Sequence, residues 1–106
     1  MFYRLKFDGT VGKILKSAGF LTNAEIFNVW PAGLSAQYIS EAKARKIDAK
    51  SAAYFGVLTY FSDESTDEKL RVRVLSALMT ESSKEKSLDS VVSSALFQAN
   101  ADLMNS

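Results

Sequence analysis

The chain contains neither cysteine nor histidine. The first absence excludes a disulfide framework, a thiolate nucleophile and any Cys-based metal site. The second removes the usual general base at neutral pH, the commonest metal ligand and the simplest protonation switch. Its five glycines occur singly, so neither a phosphate-cradling loop nor a dinucleotide-binding fingerprint exists. Nothing in the order of residues brings two carboxylates onto one apolar face, the arrangement that would separate their pKa values for acid/base work. An enzyme built on this chain would have to use carboxylate, Lys, Tyr or Ser chemistry. The sequence therefore predicts a protein that is not an enzyme and that carries no cofactor and no metal.

Long apolar runs are missing as well. No stretch of about 18 apolar residues occurs, and the opening "MFYRLKFDG" has no uninterrupted apolar segment after its bases. A cytoplasmic protein with no membrane association is the resulting expectation.

What is present fits a folded domain. The 106 residues are 47% hydrophobic and 24% charged, ordinary globular usage and far from the profile of disordered chains. A single domain over residues 1–106 is expected, with no linker of domain-separating length, no internal repeat and no low-complexity tract beyond the Ser-rich joint near Ser82, Ser83 and Ser87. The net charge of +1 is unevenly placed. Residues 1–55 hold eight bases and four acids, a net of +4, whereas residues 56–106 hold five bases and eight acids, a net of −3. Such asymmetry can steer a charged partner or favour self-association.

Residues 2–7 alternate apolar and basic side chains as a half-buried strand does, and Asp8-Gly9 makes a turn. The segment after it reads as a helix capped by Thr10 and ended by Gly19, or else as the return strand of a hairpin. "LTNAEI" holds a capping box, Thr22 with Glu25, and Leu21 and Ile26 stand at staple positions. That helix must stop near Trp30, because Pro31 disfavours helical geometry at the residue before it. A further helix is expected from a Ser35 cap, with Leu34 and Ile39 as staple, to about Ile47. Asp48 then caps "AKSAAYFGVLTYF", which as a helix would be apolar nearly all round.

Residues 54–61 can also be read as a strand, since Tyr, Phe, Val and Thr favour strands and a mid-helix glycine costs about 1 kcal/mol. "KLRVRVL" would be its partner, although a capping box of Ser65 with Glu68 argues for a helix there. The last segment, from Leu88, reads as an amphipathic helix with Val91, Val92, Ala95, Ala99 and Leu103 on one side. The preferred fold is mainly α: a small single-domain bundle of about five helices with an N-terminal strand-like segment. The alternative is α+β, with strands near 2–7, 54–61 and 69–75. In the first case the lone strand needs a partner, and a second copy of the chain would supply one.

Only one constellation invites a binding function. Lys43, Lys46 and Lys50 stand three and four apart and would share a helical face, with Arg45 beside them, so the group could meet successive phosphates. Gly33 in the preceding turn fits a helix-turn-helix arrangement, in which Ser35, Gln37, Tyr38 and Ser40 would read base edges. A solvated helix face accounts for the same residues more simply. Trp30 is a candidate interface anchor or, equally, a core residue. The acidic loop at 63–68 fails the calcium template, because its sixth position is Glu68 and its twelfth Val74. The functional expectation is a non-enzymatic interaction module acting as a homo-oligomer or on another protein. The alternative is a nucleic-acid-binding regulator that uses residues 35–50.

Overall fold

The computed structural model describes residues 9–31, 33–63 and 67–105. Among them the chain forms six helices and no strand: α1 (Gly9–Ser17), α2 (Asn23–Val29), α3 (Leu34–Arg45), α4 (Ala49–Phe61), α5 (Glu68–Ser82) and α6 (Ser90–Met104). The expected strand at 2–7 lies outside the described residues. The Cα radius of gyration, 13.3 Å, matches the value of about 13 Å for a compact chain of this length.

α4 is the central element, and α1, α3, α5 and α6 all pack against it. Its buried residues run all round the helix, from Ser51, Ala52, Ala53 and Tyr54 to Gly56, Val57, Leu58 and Phe61. This overturns the strand reading of 54–61: burial on every side satisfies its bulky β-formers, and Thr59 Oγ bonds back to the Phe55 carbonyl at 2.9 Å, as helical threonines do. The strand reading of 69–75 fails on a sharper point. Alternation would bury Val72 and Val74 together, yet Val74 is 0% exposed and Val72 42%. In a helix the two point about 200° apart, and only one can face the core.

Helix ends follow local chemistry, with corrections to the expected caps. Thr22 and Glu25 form the reciprocal capping box, and Asp48 accepts from Ser51 N–H at 2.7 Å. Thr10 lies inside α1, which already includes Gly9. Gly33, not Ser35, is the N-cap of α3: it takes φ 87°, and the helix begins at the next residue. The cap of α5 is Asp67, accepting from Leu70 N–H, so the cap lies two residues after the expected one at Ser65, which is not among the described residues. Leu21 is exposed and does not staple onto buried Ile26.

Two C-termini close with paired backbone bonds in the Schellman manner. In α1, Phe20 N–H reaches the Leu15 carbonyl and Gly19 N–H that of Lys16, with Gly19 at φ 100°. Arg73 of α5 donates to the Ala18 carbonyl at the same end, and its guanidinium lies 4.1 Å over the Phe20 ring. In α3, Ile47 N–H reaches Ala42 and Lys46 N–H reaches Lys43. Here the left-handed residue is Lys46, at φ 60°. Lys46→Gly should therefore stabilise the fold by about 1 kcal/mol in urea denaturation, because glycine bears no Cβ penalty in this region. A loss of stability would show that the Lys46 side chain contributes more than its backbone strain costs.

Candidate interaction surface

The basic run is divided between two elements. Lys43 and Arg45 close α3, Lys46 turns the chain, and Lys50 stands in the first turn of α4. The expected single face of Lys43, Lys46 and Lys50 is thus broken, because Ile47 folds back on Ala42 and Asp48 starts a new helix. Lys43, Arg45 and Lys46 are exposed, whereas Lys50 pairs with Glu85 at 3.2 Å. Both partners keep solvent contact, so that pair contributes at most about 1 kcal/mol.

The proposed base readers are equally divided. Ser35 lies in the first turn of α3 and Gln37 is exposed. Tyr38 is packed inward: its ring lies over Gly56 of α4 and stacks on Trp30 with centroids 6.2 Å apart. Burial raises the Tyr38 phenol pKa. Trp30 is 2% exposed and sits among Tyr38, Tyr60 and Phe61, with Tyr60 edge-on at 5.5 Å. The structure therefore places Trp30 in the core. The α2–α3 packing that a helix-turn-helix needs is not among the close helix pairs of the described residues, since α3 pairs with α4.

The titratable groups with displaced pKa values have structural partners. Glu25 is lowered chiefly by the Thr22 backbone N–H, Asp48 by that of Ser51, and Glu81 by the Ser17 hydroxyl, which donates at 2.8 Å. Ser51 is fully buried; it donates to Asp48 and accepts from Asp89 N–H at 3.0 Å, which ties the starts of α4 and α6 together. Burial pushes the Tyr54 phenol up to about 12. These carboxyls are shifted toward the charged form, away from what a general acid needs at neutral pH. Among the described residues no group of three or more Asp or Glu side chains could hold a metal ion, and no helix is long and apolar enough to cross a membrane.

The lowered carboxyls give an acid limb. Their ordinary values are 4.5 for Glu25 and Glu81 and 3.8 for Asp48, so the stability they contribute is complete above those values and is lost as pH falls through the lower folded-state values. Asp48→Ala should cost about 1 kcal/mol near pH 7 as a lost cap, and should flatten the fall of stability below pH 4 in urea titrations. An unchanged acid limb would mean that Asp48 has no part in it.

Sequence reasoning missed the outer face of α6. Burial there runs through Val92 and Leu96, with Ala95, Ala99 and Leu103 half-buried. Val91, expected on the buried side, is 71% exposed, and Phe97 and Met104 are each 77% exposed. The signal was a missing charge: Asp102 is the only ionisable residue in the fifteen of α6. A groove of about 230 Å³ between the end of α5 and α6 is lined by Met79, Leu88, Leu96 and Phe97 among others. Another of about 480 Å³, lined by Arg71, Val72, Ala99 and Leu103 among others, runs between the start of α5 and the end of α6.

Comparison of the chain with protein-family models, curated proteins and solved structures gave no match.

Proposed function

We propose that the protein is a non-enzymatic interaction module, an adaptor, inhibitor or regulator, that works in the cytoplasm as a homo-oligomer. The observation that carries this reading is the uncharged, partly apolar outer face of α6, since surface helices ordinarily turn charged side chains to water. The structural partners of the displaced carboxyls and the missing histidine and cysteine support the non-enzymatic part. Size-exclusion chromatography with light scattering at rising protein concentration tests it. A mass above 11.7 kDa is expected, and a mass that stays at 11.7 kDa at every concentration would remove the homo-oligomer.

The exposed Gln37, Lys43, Arg45 and Lys46 favour a second reading, in which this end of α3 meets nucleic acid. Binding to random duplex would then fall with salt at a log–log slope of about −3 for three phosphate contacts, and would vanish in the triple Ala variant of Lys43, Arg45 and Lys46. Undetectable binding at low salt eliminates this reading.

A further inference from the structure

A cleft of about 260 Å³ opens between the end of α3, the middle of α4 and the start of α6. Its walls are apolar: Ile47 and Phe55 are half-buried, Val92 is buried and Val91 is exposed. Two cations, Arg45 and Lys46, and one anion, Asp89, complete the lining, so two bases less one acid leave it a net charge of +1. The grooves between α5 and α6 differ in sign. The first holds Glu85 and no base, and the second holds Glu68 and Asp102 against Arg71.

The three charges of the cleft are not equivalent. Asp89 is explained by the fold: as the cap of α6 its carboxylate accepts from Val91 N–H at 2.9 Å, and its own N–H donates to buried Ser51. Arg45 and Lys46 are exposed, and among the described residues neither side chain has a hydrogen bond or an ion pair. Lys46 also holds its backbone at φ 60°, a region that favours glycine. Strain of this kind is retained where the side chain has a task.

The chemistry of the walls names the class of occupant. No uncharged hydrogen-bonding side chain lines the cleft, so a nucleobase or a peptide segment entering it would leave several polar groups without partners. An apolar body with one charged end leaves none, and the two free cations fix the sign of that charge. The net charge of +1 matches a monoanion, which a carboxylate is and a phosphate monoester at neutral pH is not. Two carboxylate oxygens also suit the forked guanidinium of Arg45. The volume lies just below the roughly 300–1,000 Å³ of most ligand pockets, so the occupant is small. We propose that this cleft binds a small apolar carboxylate, such as a medium-chain fatty acid, with its tail against Ile47, Phe55, Val91 and Val92 and its head at Arg45 and Lys46. The site goes beyond the interaction-module reading and stands whether or not the chain self-associates.

Sodium octanoate is the probe, titrated into the intact chain at neutral pH, with affinity read by calorimetry and location by amide NMR shifts. About ten heavy atoms in a cleft open to water give a dissociation constant on the order of 10⁻⁴ M. Shifts should centre on residues 45–47, 55 and 89–92. Acetate should not bind measurably, because it lacks the tail, and octan-1-ol and octylammonium should bind at least about tenfold more weakly than octanoate. Arg45→Gln and Lys46→Gln should each weaken octanoate about two- to fivefold, and together about tenfold. Asp89→Asn, which keeps the cap, should tighten it. Lys46→Gly should bind as weakly as Lys46→Gln while being the more stable protein. Equal binding of octanoate and octan-1-ol overturns the anionic head, and tighter binding of octylammonium overturns its sign. Acetate or inorganic phosphate binding as strongly as octanoate overturns the apolar tail. Shifts centred elsewhere overturn the cleft as the site, and no binding at up to about 10 mM octanoate overturns the proposal outright.

Discussion

Trp30→Ala should destabilise the protein by about 3–5 kcal/mol, the range for removing a fully buried large aromatic ring. The ring is 2% exposed and touches three others: it stacks near Tyr38 of α3 and Phe61 of α4 and meets Tyr60 edge-on. It is also the residue at which α2 ends. α2 has only one buried residue of its own, Ile26, so Trp30 supplies much of what holds that short helix to the bundle. Domains of this kind are stable by about 5–15 kcal/mol, so the variant should unfold at much lower urea and approach half-unfolded if the parent lies at the low end. Circular dichroism is the readout, because the substitution removes the only tryptophan. A loss below about 1 kcal/mol would mean that the aromatic cluster does not form as described.

Gly56→Ala is the more discriminating substitution. On helix propensity alone it should stabilise by about 1 kcal/mol. A Cβ at this position, however, would stand 2.6 Å from Cδ2 and 2.7 Å from Cγ of Tyr38, far inside contact distance. The ring would have to leave its stack on Trp30, and overpacking of this kind costs about 1–3 kcal/mol. We expect a net loss of up to about 2 kcal/mol once the propensity gain is subtracted. In a Tyr38→Ala background the clash is gone, and the same Gly56→Ala change should become stabilising. That change of sign, measured as a double-mutant cycle, separates close α3–α4 approach from any general intolerance of α4. A destabilisation of equal size in both backgrounds would contradict the packing of Tyr38 on Gly56.

These two positions also show what the sequence made legible. Helix starts were readable where a side chain caps its own backbone, as at Thr22 and Asp48, because the signal lies within three residues. α3 was harder: a serine two residues after a glycine invites the side-chain cap, whereas the left-handed Gly33 starts the helix by backbone geometry alone. The 54–61 and 69–75 segments were ambiguous because β-branched and aromatic residues favour strands locally, and only burial on all sides of α4 and the split between Val72 and Val74 decide for helix. That information is tertiary.

The candidate site was legible in the opposite sense. The basic residues near 43–50 stood out in the sequence, yet the chain breaks their shared face between α3 and α4 and pairs Lys50 with Glu85. Tyr38, read as a base reader, and Trp30, read as an interface anchor or equally a core residue, face each other in the core cluster and its margin. The face of α6 went unnoticed because periodicity finds one apolar side of a helix and stops there. Val92, Leu96, Ala99 and Leu103 supply that side, and Phe97 and Met104 are then surplus apolar residues on the opposite one.

Self-association through that face can be weighed directly by sedimentation equilibrium of the unmodified chain and Phe97→Asp side by side, over about 1–100 μM, the range in which small interfaces dissociate. The expected result is a wild-type mass rising from 11.7 kDa toward twice that value while the variant stays at the lower one. A single unchanging mass of 11.7 kDa for the wild-type chain across the whole range would contradict it.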